Sequence, residues 1–188
     1  WLAIAGAPAR AVHFTDRPRP GAAEAIAALK AAGLRIFLLS GDAEGPVVDL
    51  AQRLQIADWR SGVLPAEKAA FIDGLSHEGH RVLMVGDGLN DTVALAAAHV
   101  SISPASALDA ARAASDIVLL GQDLAPIADA QRIAVQARRR IKQNFALSLA
   151  YNAVAVPVAL VGLATPLIAA IAMSTSSLTV TLNALRLK

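Results

Sequence analysis

Two different rhythms of apolar and polar residues divide the chain. Up to about residue 137, short apolar runs alternate with stretches whose apolar positions recur at helical spacing, the alternation expected of an α/β domain. Leu34–Leu39 and Arg81–Val85 are runs of the kind that form strands buried on both faces of a parallel sheet. Shorter strands are expected at Ala11–Phe14, Val100–Ile102 and Ile117–Leu120. Helices are expected at Gly21–Ala32, with Ile26 and Leu29 on one face and Gly33 just beyond its end, and at Pro46–Leu54, Pro65–Leu75 and Asp91–Ala98. Leu124–Arg140 reads as a longer helix that leads into the second rhythm.

That second rhythm is uniformly uncharged from Gln143 to Leu185. A helix needs about 20 apolar residues to cross a bilayer, so the stretch has room for two. Asn144–Leu163 and Pro166–Leu185 are the expected spans, with Ala164-Thr165-Pro166 as the turn. The charges agree. All 15 acidic residues lie between Asp16 and Asp129, whereas Arg138, Arg139, Arg140, Lys142, Arg186 and Lys188 flank the uncharged stretch. Basic residues on both flanks put both ends on the cytoplasmic side of a cell membrane and the turn outside. The net charge of +2 is therefore no nucleic-acid signature, because its excess sits at the edges of a lipid-facing hairpin. The chain has no cysteine, which excludes a disulfide scaffold or a thiolate metal site within it. It opens on Trp1 and reads from its first residues like the interior of a longer protein, so a fragment is expected.

Gly86-Asp87-Gly88-Leu89-Asn90-Asp91 follows the Arg81–Val85 run directly. The C-terminal ends of parallel strands are where such sheets bind ligands. Gly86 and Gly88 permit a tight turn, and Asp87 and Asp91 offer hard oxygen ligands suited to a Mg²⁺ ion that also holds a phosphate. The plainer alternative is a glycine-rich turn in which one aspartate caps the next helix. Ser40-Gly41-Asp42 ends the other long apolar run, where a hydroxyl and a backbone N–H suit a phosphoryl group or, again, a helix cap. Lys68 lies in the first turn of the helix opened by Pro65. A cation there opposes the helix dipole, which points to an anionic partner such as a phosphate.

The order of these features resembles the P-type ATPases, whose phosphorylation domain is haloacid dehalogenase-like. The likeness runs from about Val12 to Lys188. It implies an α/β, haloacid dehalogenase-like fold with a Rossmann-type parallel sheet, forming part of a phosphorylation domain over residues 10–137. A two-helix transmembrane hairpin over 138–188 follows. Residues 1–9 are then a remnant of the nucleotide-binding domain, and Phe14–Pro20 looks like the segment where these pumps return to the phosphorylation domain. The resemblance further implies roles. Ser40 (more often Thr in the pumps), Gly41 and Asp42 meet the phosphoryl group, and Lys68 neutralises an aspartyl phosphate. Asp87 and Asp91 hold Mg²⁺, Gly86, Gly88 and Asn90 shape their loop, and ATP is the phosphoryl donor. The Asp-Lys-Thr-Gly-Thr motif that carries the phosphorylated aspartate and an intramembrane Cys-Pro-Cys do not occur in this sequence. By itself the chain is thus expected to be inactive and to depend on upstream parts of the pump.

Polar groups inside a membrane are functional candidates. Tyr151 and Asn152 adjoin in the first span, before Pro157, an expected kink. Met173 and Ser177 share a helix face in the second, and a thioether favours soft ions such as Cu(I). Serines also serve simply to pack helices. The combination resembles the Cu(I)-exporting subgroup of heavy-metal pumps. That resemblance implies Cu(I) as the transported ion, a bacterial inner membrane, and the lipid bilayer and a copper chaperone as partners. A zinc/cadmium pump is the alternative, but its expected acidic residue in the last span is not found here. A membrane-anchored haloacid dehalogenase-like phosphatase would need a nucleophilic Asp-x-Asp, which Asp16 does not provide. A membrane-anchored Mg²⁺- or phosphate-binding regulator is the non-enzymatic alternative.

Overall fold

The computed structural model describes residues 4–6, 8 and 17–186. The strand expected at Ala11–Phe14 lies outside these residues, as do most of residues 1–9. The chain divides into two compact units, one ending at Pro126 and the other beginning at Ile127.

In the first unit, helices α1 (Ala22–Ala31), α2 (Glu44–Arg53), α3 (Pro65–His77), α4 (Thr92–Ala97) and α5 (Asp109–Ala113) alternate with strands β1 (Phe37–Leu39), β2 (Asp58–Arg60), β3 (Leu83–Val85), β4 (Val100–Pro104) and β5 (Ile117–Leu119). All pairing is parallel, β1 with β2 and β3 with β4 with β5. Parallel neighbours cannot be joined by a tight turn, so a helix bridges each pair: α2, α4 and α5 do this. Apolar faces of these helices close the core, with Ala25, Leu29, Val47, Ala51, Ile72 and Leu95 buried.

The long apolar runs yield shorter, less buried strands than expected. Only Phe37–Leu39 and Leu83–Val85 pair, and neither strand is fully buried. The deepest strand is β4, which carries two serines. Ser101, Ile102 and Ser103 are at most 2% exposed because β4 is the central strand of its sheet. Burial of Ser101 is tolerated because its N–H and its hydroxyl both donate to Asp116 Oδ2, at 2.8 and 2.9 Å. The Asp116 N–H donates back to Ser101 Oγ at 3.1 Å. Two elements, β2 and α5, were not expected from the sequence. Strand β2 reads as polar, and side chains on its neighbours hold it. Arg35 donates to both Asp58 oxygens at 2.8 and 2.9 Å, a bond that keeps the Asp58 carboxyl below its ordinary range. The Arg60 guanidinium stacks 4.6 Å over Phe71, which meets Phe37 edge-on at 5.2 Å.

Helix α1 starts at a tight crossing. Gly21 has φ +71, and a Cβ there would sit 1.9 Å from Asp123 Oδ1 and 2.7 Å from the Ala125 nitrogen. Beside it the Leu124 N–H donates to the Pro20 carbonyl at 2.9 Å. Gly21→Ala is expected to cost about 2 kcal/mol or more, from the left-handed backbone and the clash together. Denaturant unfolding measures this, and an unchanged midpoint would contradict the crossing.

The second unit holds most of α6 (Ala125–Leu160) and all of α7 (Pro166–Leu185), both long and apolar enough to cross a membrane. The sequence suggests a helix to Arg140 and a separate span from Asn144 to Leu163. Instead α6 is continuous through both and stops earlier, at Leu160. Gly162 takes φ +80, its N–H donates to Ala159, and the Leu163 N–H reaches back to Val158 at 3.2 Å. This glycine-terminated helix end moves the turn to Val161–Thr165. Helix α7 starts where expected: Pro166 occupies its first turn and Thr165 Oγ1 accepts from the Ile168 N–H at 3.3 Å.

Half-buried residues recur along both helices at Ser148, Tyr151, Ala155 and Val158, and at Ala172, Ser176, Val180 and Asn183. Ser148, Ala155, Ala172 and Ser176 among them are small, the kind of residue used where membrane helices pack. The hydroxyls of Thr175, Thr179 and Thr181 each donate at 2.8 Å to the carbonyl four residues back, which satisfies them without water. At the basic end, Asn183 Nδ2 donates to Asn144 Oδ1 at 2.7 Å, and Arg140 donates to Gln143 Oε1 at 3.0 Å. A double-mutant cycle on Asn144→Ala and Asn183→Ala is expected to give a coupling of about 0.6 kcal/mol or somewhat more in reversible unfolding in micelles. Strict additivity would remove the clamp.

Candidate functional site

The C-terminal ends of β1 and β3 line one cavity of about 820 Å³. Ser40, Gly41 and Asp42 leave β1, Lys68 comes from α3, and Asp87, Gly88, Asn90 and Asp91 follow β3; all eight line this space. Gly86 does not line it but packs against Asp91, which does. The sequence-derived candidates of the first unit are thus brought together around one cavity.

Each loop is fixed by its own hydrogen bonds. The Ser40 N–H extends the ladder to the Arg60 carbonyl at 3.0 Å, and the Ser40 carbonyl accepts from Val63 at 2.9 Å. Ser40 Oγ donates to Asp42 Oδ2 at 2.7 Å and accepts from the Asp42 N–H at 3.2 Å. The hydroxyl is therefore turned onto its own loop, as serines and aspartates in turns commonly are. Helix α3 opens on Pro65, and Glu67 Oε2 accepts from the Leu64 N–H at 2.8 Å.

Lys68 is buried, with its Nζ 2.8 Å from Asp91 Oδ1; the two side chains are 11% and 14% exposed. The anionic partner that its position demanded is thus this carboxylate. The other Asp91 oxygen accepts from the Gly88 N–H at 3.3 Å. A Cβ on Gly86 would lie 2.8 Å from the Asp91 Cβ, so the loop closes this tightly only with glycine there. Asp91 therefore has both oxygens committed. Asp87 is different: its side chain is 52% exposed and faces the cavity's edge.

The donor set fits Mg²⁺ in one way. Among the described residues no group of three or more His, Asp or Glu is placed to hold a metal. Mg²⁺ is content with one or two carboxylates when phosphate oxygens supply the rest. Asp87 is the open carboxylate here.

Two arginines are not marked as site residues by the sequence. Arg17 lines the space, and Arg19, outside the lining, reaches Asp87 Oδ2 at 2.6 Å and Ser106 Oγ at 3.1 Å. The alternation Arg-Pro-Arg-Pro marks an extended segment but carries no sign of where its side chains point.

The candidates in the second unit do not converge. Tyr151 is half-buried, whereas Asn152, Met173 and Ser177 are exposed, Met173 by 72%. No hydrogen bond joins any two of them among the described residues.

The model of the haloacid dehalogenase-like hydrolases matches residues 3–99. The chain belongs to this family. Its homologues are heavy-metal P-type ATPases. It is 54% identical over 168 residues to the nitrogen fixation protein FixI of Bradyrhizobium diazoefficiens, covering 89% of this chain and 23% of that one. It is 43% identical over 195 residues to the copper-transporting P-type ATPase of Rhizobium leguminosarum bv. viciae, covering 100% and 23%. A crystal structure of a zinc-transporting PIB-type ATPase in its E2.Pi state superposes with a TM-score of 0.85 at 30% identity, covering 92% of this chain and 28% of that one. The chain spans about a quarter of the length of the curated relatives it matches. The expected α/β phosphorylation-domain fold followed by an apolar hairpin is the arrangement found.

Breaking the buried pair tests the site's foundation. Lys68→Met, which strands the Asp91 charge, is expected to cost about 3 kcal/mol in chemical unfolding. Adding Asp91→Asn should recover part of that loss. A single variant as stable as the parent would show that the pair is not buried in solution.

Proposed function

We propose that the chain is part of an ATP-driven pump that exports Cu(I) across a bacterial inner membrane through an aspartyl-phosphate intermediate. The observation that carries this is the convergence of Ser40-Gly41-Asp42, Lys68 and Asp87 on one cavity, in a chain that continues into two apolar helices. In this reading residues 10–137 complete a phosphorylation domain, 1–9 belong to a nucleotide-binding domain, and 138–188 are the last two membrane helices with both ends in the cytoplasm. The phosphorylated aspartate comes from upstream. Among the described residues β1 and β3 each have one unpaired edge, and both end at the cavity. A parallel strand from upstream that pairs there brings its carboxylate to Lys68.

Each residue then has a task. Lys68 Nζ spends one donor on Asp91 and keeps two for phosphoryl oxygens. The Gly41 and Asp42 loop offers backbone N–H groups, and Ser40 Oγ turns from Asp42 to the phosphoryl group. Asp87 would hold Mg²⁺, with Asp91 fixing the loop that presents it. When bound, that ion neutralises phosphoryl charge as it passes between donor and acceptor. Half-buried Tyr151 and the exposed Asn152, Met173 and Ser177 of this hairpin complete an ion site with helices from upstream, and a chaperone delivers the copper.

In the full-length protein, Asp87→Ala is expected to reduce Mg²⁺-dependent phosphoenzyme from ATP at least a hundredfold, read with radiolabelled nucleotide. Normal phosphoenzyme would remove Asp87 from the role. Met173→Ala should weaken stimulation of ATP hydrolysis by Cu(I). The likeness to a zinc-transporting structure supports a second reading, in which Zn²⁺ and not Cu(I) stimulates.

A further inference from the structure

We propose that Arg19 is a latch on the Asp87 carboxylate, holding it in place of the divalent cation and giving way when that cation binds. The proposal rests on the reading of Asp87 as the Mg²⁺ ligand and names what regulates it.

The geometry is specific. One terminal nitrogen of Arg19 lies 2.6 Å from Asp87 Oδ2, and the other donates to Ser106 Oγ at 3.1 Å. A guanidinium presents its donors in a planar fork, so two anchors from different loops fix its plane. Ser106 follows β4 and Asp87 follows β3, and the Leu108 N–H donates to the Asp87 carbonyl at 3.4 Å, which ties the two loops together. The Arg19 backbone is held as well. The next residue, Pro20, accepts from the Leu124 N–H, and Gly21 sits in its tight crossing with Asp123 and Ala125. Arg19 is thus delivered to Asp87 from a fixed base.

The guanidinium and a metal ion compete for the same oxygen. Mg²⁺ binds a carboxylate oxygen at about 2.0–2.1 Å, and two cations on one oxygen repel. Without a metal, Arg19 neutralises an aspartate that the neighbouring pair leaves unserved, because Lys68 is directed at Asp91. The pair is open enough to exchange: Arg19 is 32% and Asp87 52% exposed. A half-exposed ion pair is weak, so the latch lowers metal affinity modestly and does not block it.

The test uses the full-length protein in nanodiscs without nucleotide. Mn²⁺ is the probe, read by loss of the free-ion paramagnetic resonance signal and displaced with Mg²⁺. Asp87→Asn defines the site: if Mn²⁺ affinity is unchanged in that variant, the metal reading of Asp87 fails. If Asp87→Asn removes the site, Arg19→Gln decides the latch. The expected result is Mn²⁺ binding about three- to fivefold tighter than in the parent. Ser106→Ala, which frees one anchor without touching either charge, should shift affinity in the same direction by less. Weaker binding in Arg19→Gln would make Arg19 a holder of the metal-ready Asp87, and unchanged binding would make it a surface pair; either overturns the latch. Unfolding midpoints without metal show whether Arg19→Gln is folded. If it is not, Ser106→Ala alone decides, with unchanged or weaker binding overturning the proposal.

Discussion

The ion pair between Lys68 and Asp91 is the constraint around which the site is built. Two parallel sheets share no strand pairing among the described residues, yet the loops at their ends line one cavity. Lys68, on the helix that follows β2, and Asp91, on the turn that follows β3, meet at 2.8 Å between them. Taking both charges out of water is unfavourable unless the remaining oxygen and donors are served. The Gly88 N–H serves the second Asp91 oxygen, and Gly86 leaves the room for that approach. The glycines of this loop are therefore a requirement of the buried carboxylate as much as of any ligand.

From that pair follows a division of labour between two aspartates four residues apart. Asp91 is 14% exposed and has both oxygens engaged, so it shapes the loop. Asp87 stays half-exposed with a single strong partner, the Arg19 guanidinium. The Asp87 carboxylate is the more open of the two to a metal, since each Asp91 oxygen already accepts one donor. Ser40 stands between these cases, since its hydroxyl is bonded only to the neighbouring Asp42 and can exchange that partner at little cost.

The membrane hairpin obeys a different rule, because hydrocarbon offers no partner to a polar group. Threonine hydroxyls of α7 turn back on their own helix, and the carboxamides of Asn144 and Asn183 find each other. Met173, Asn152 and Ser177 are exposed on the hairpin, so in the proposed reading an ion site made from them needs partners beyond these two helices.

Much of this was legible along the chain. Helices α1, α3 and α7 announce themselves by Gly33, Pro65 and Pro166, and a long uncharged stretch has few uses other than lipid. Loops that bear Asp, Gly and Ser directly after apolar runs place a ligand site at strand ends, since backbone sterics and parallel pairing are local rules. The end of α6 differs from the uncharged pattern, because Gly162 turns the chain at Leu160 before the apolar run is over. Other features needed the third dimension. Strand β2 is polar in sequence and is held by Arg35 and Phe71, which are distant along the chain. Strand β4 is the most buried although it carries serines, because Asp116 pairs with Ser101. The sequence by itself determined which residues could form the site and that a hairpin follows it. Tertiary structure decided which aspartate is buried, which is open, and that Arg19 meets the open one. Burial and partnership depend on contacts between residues far apart in sequence, and no local pattern encodes them.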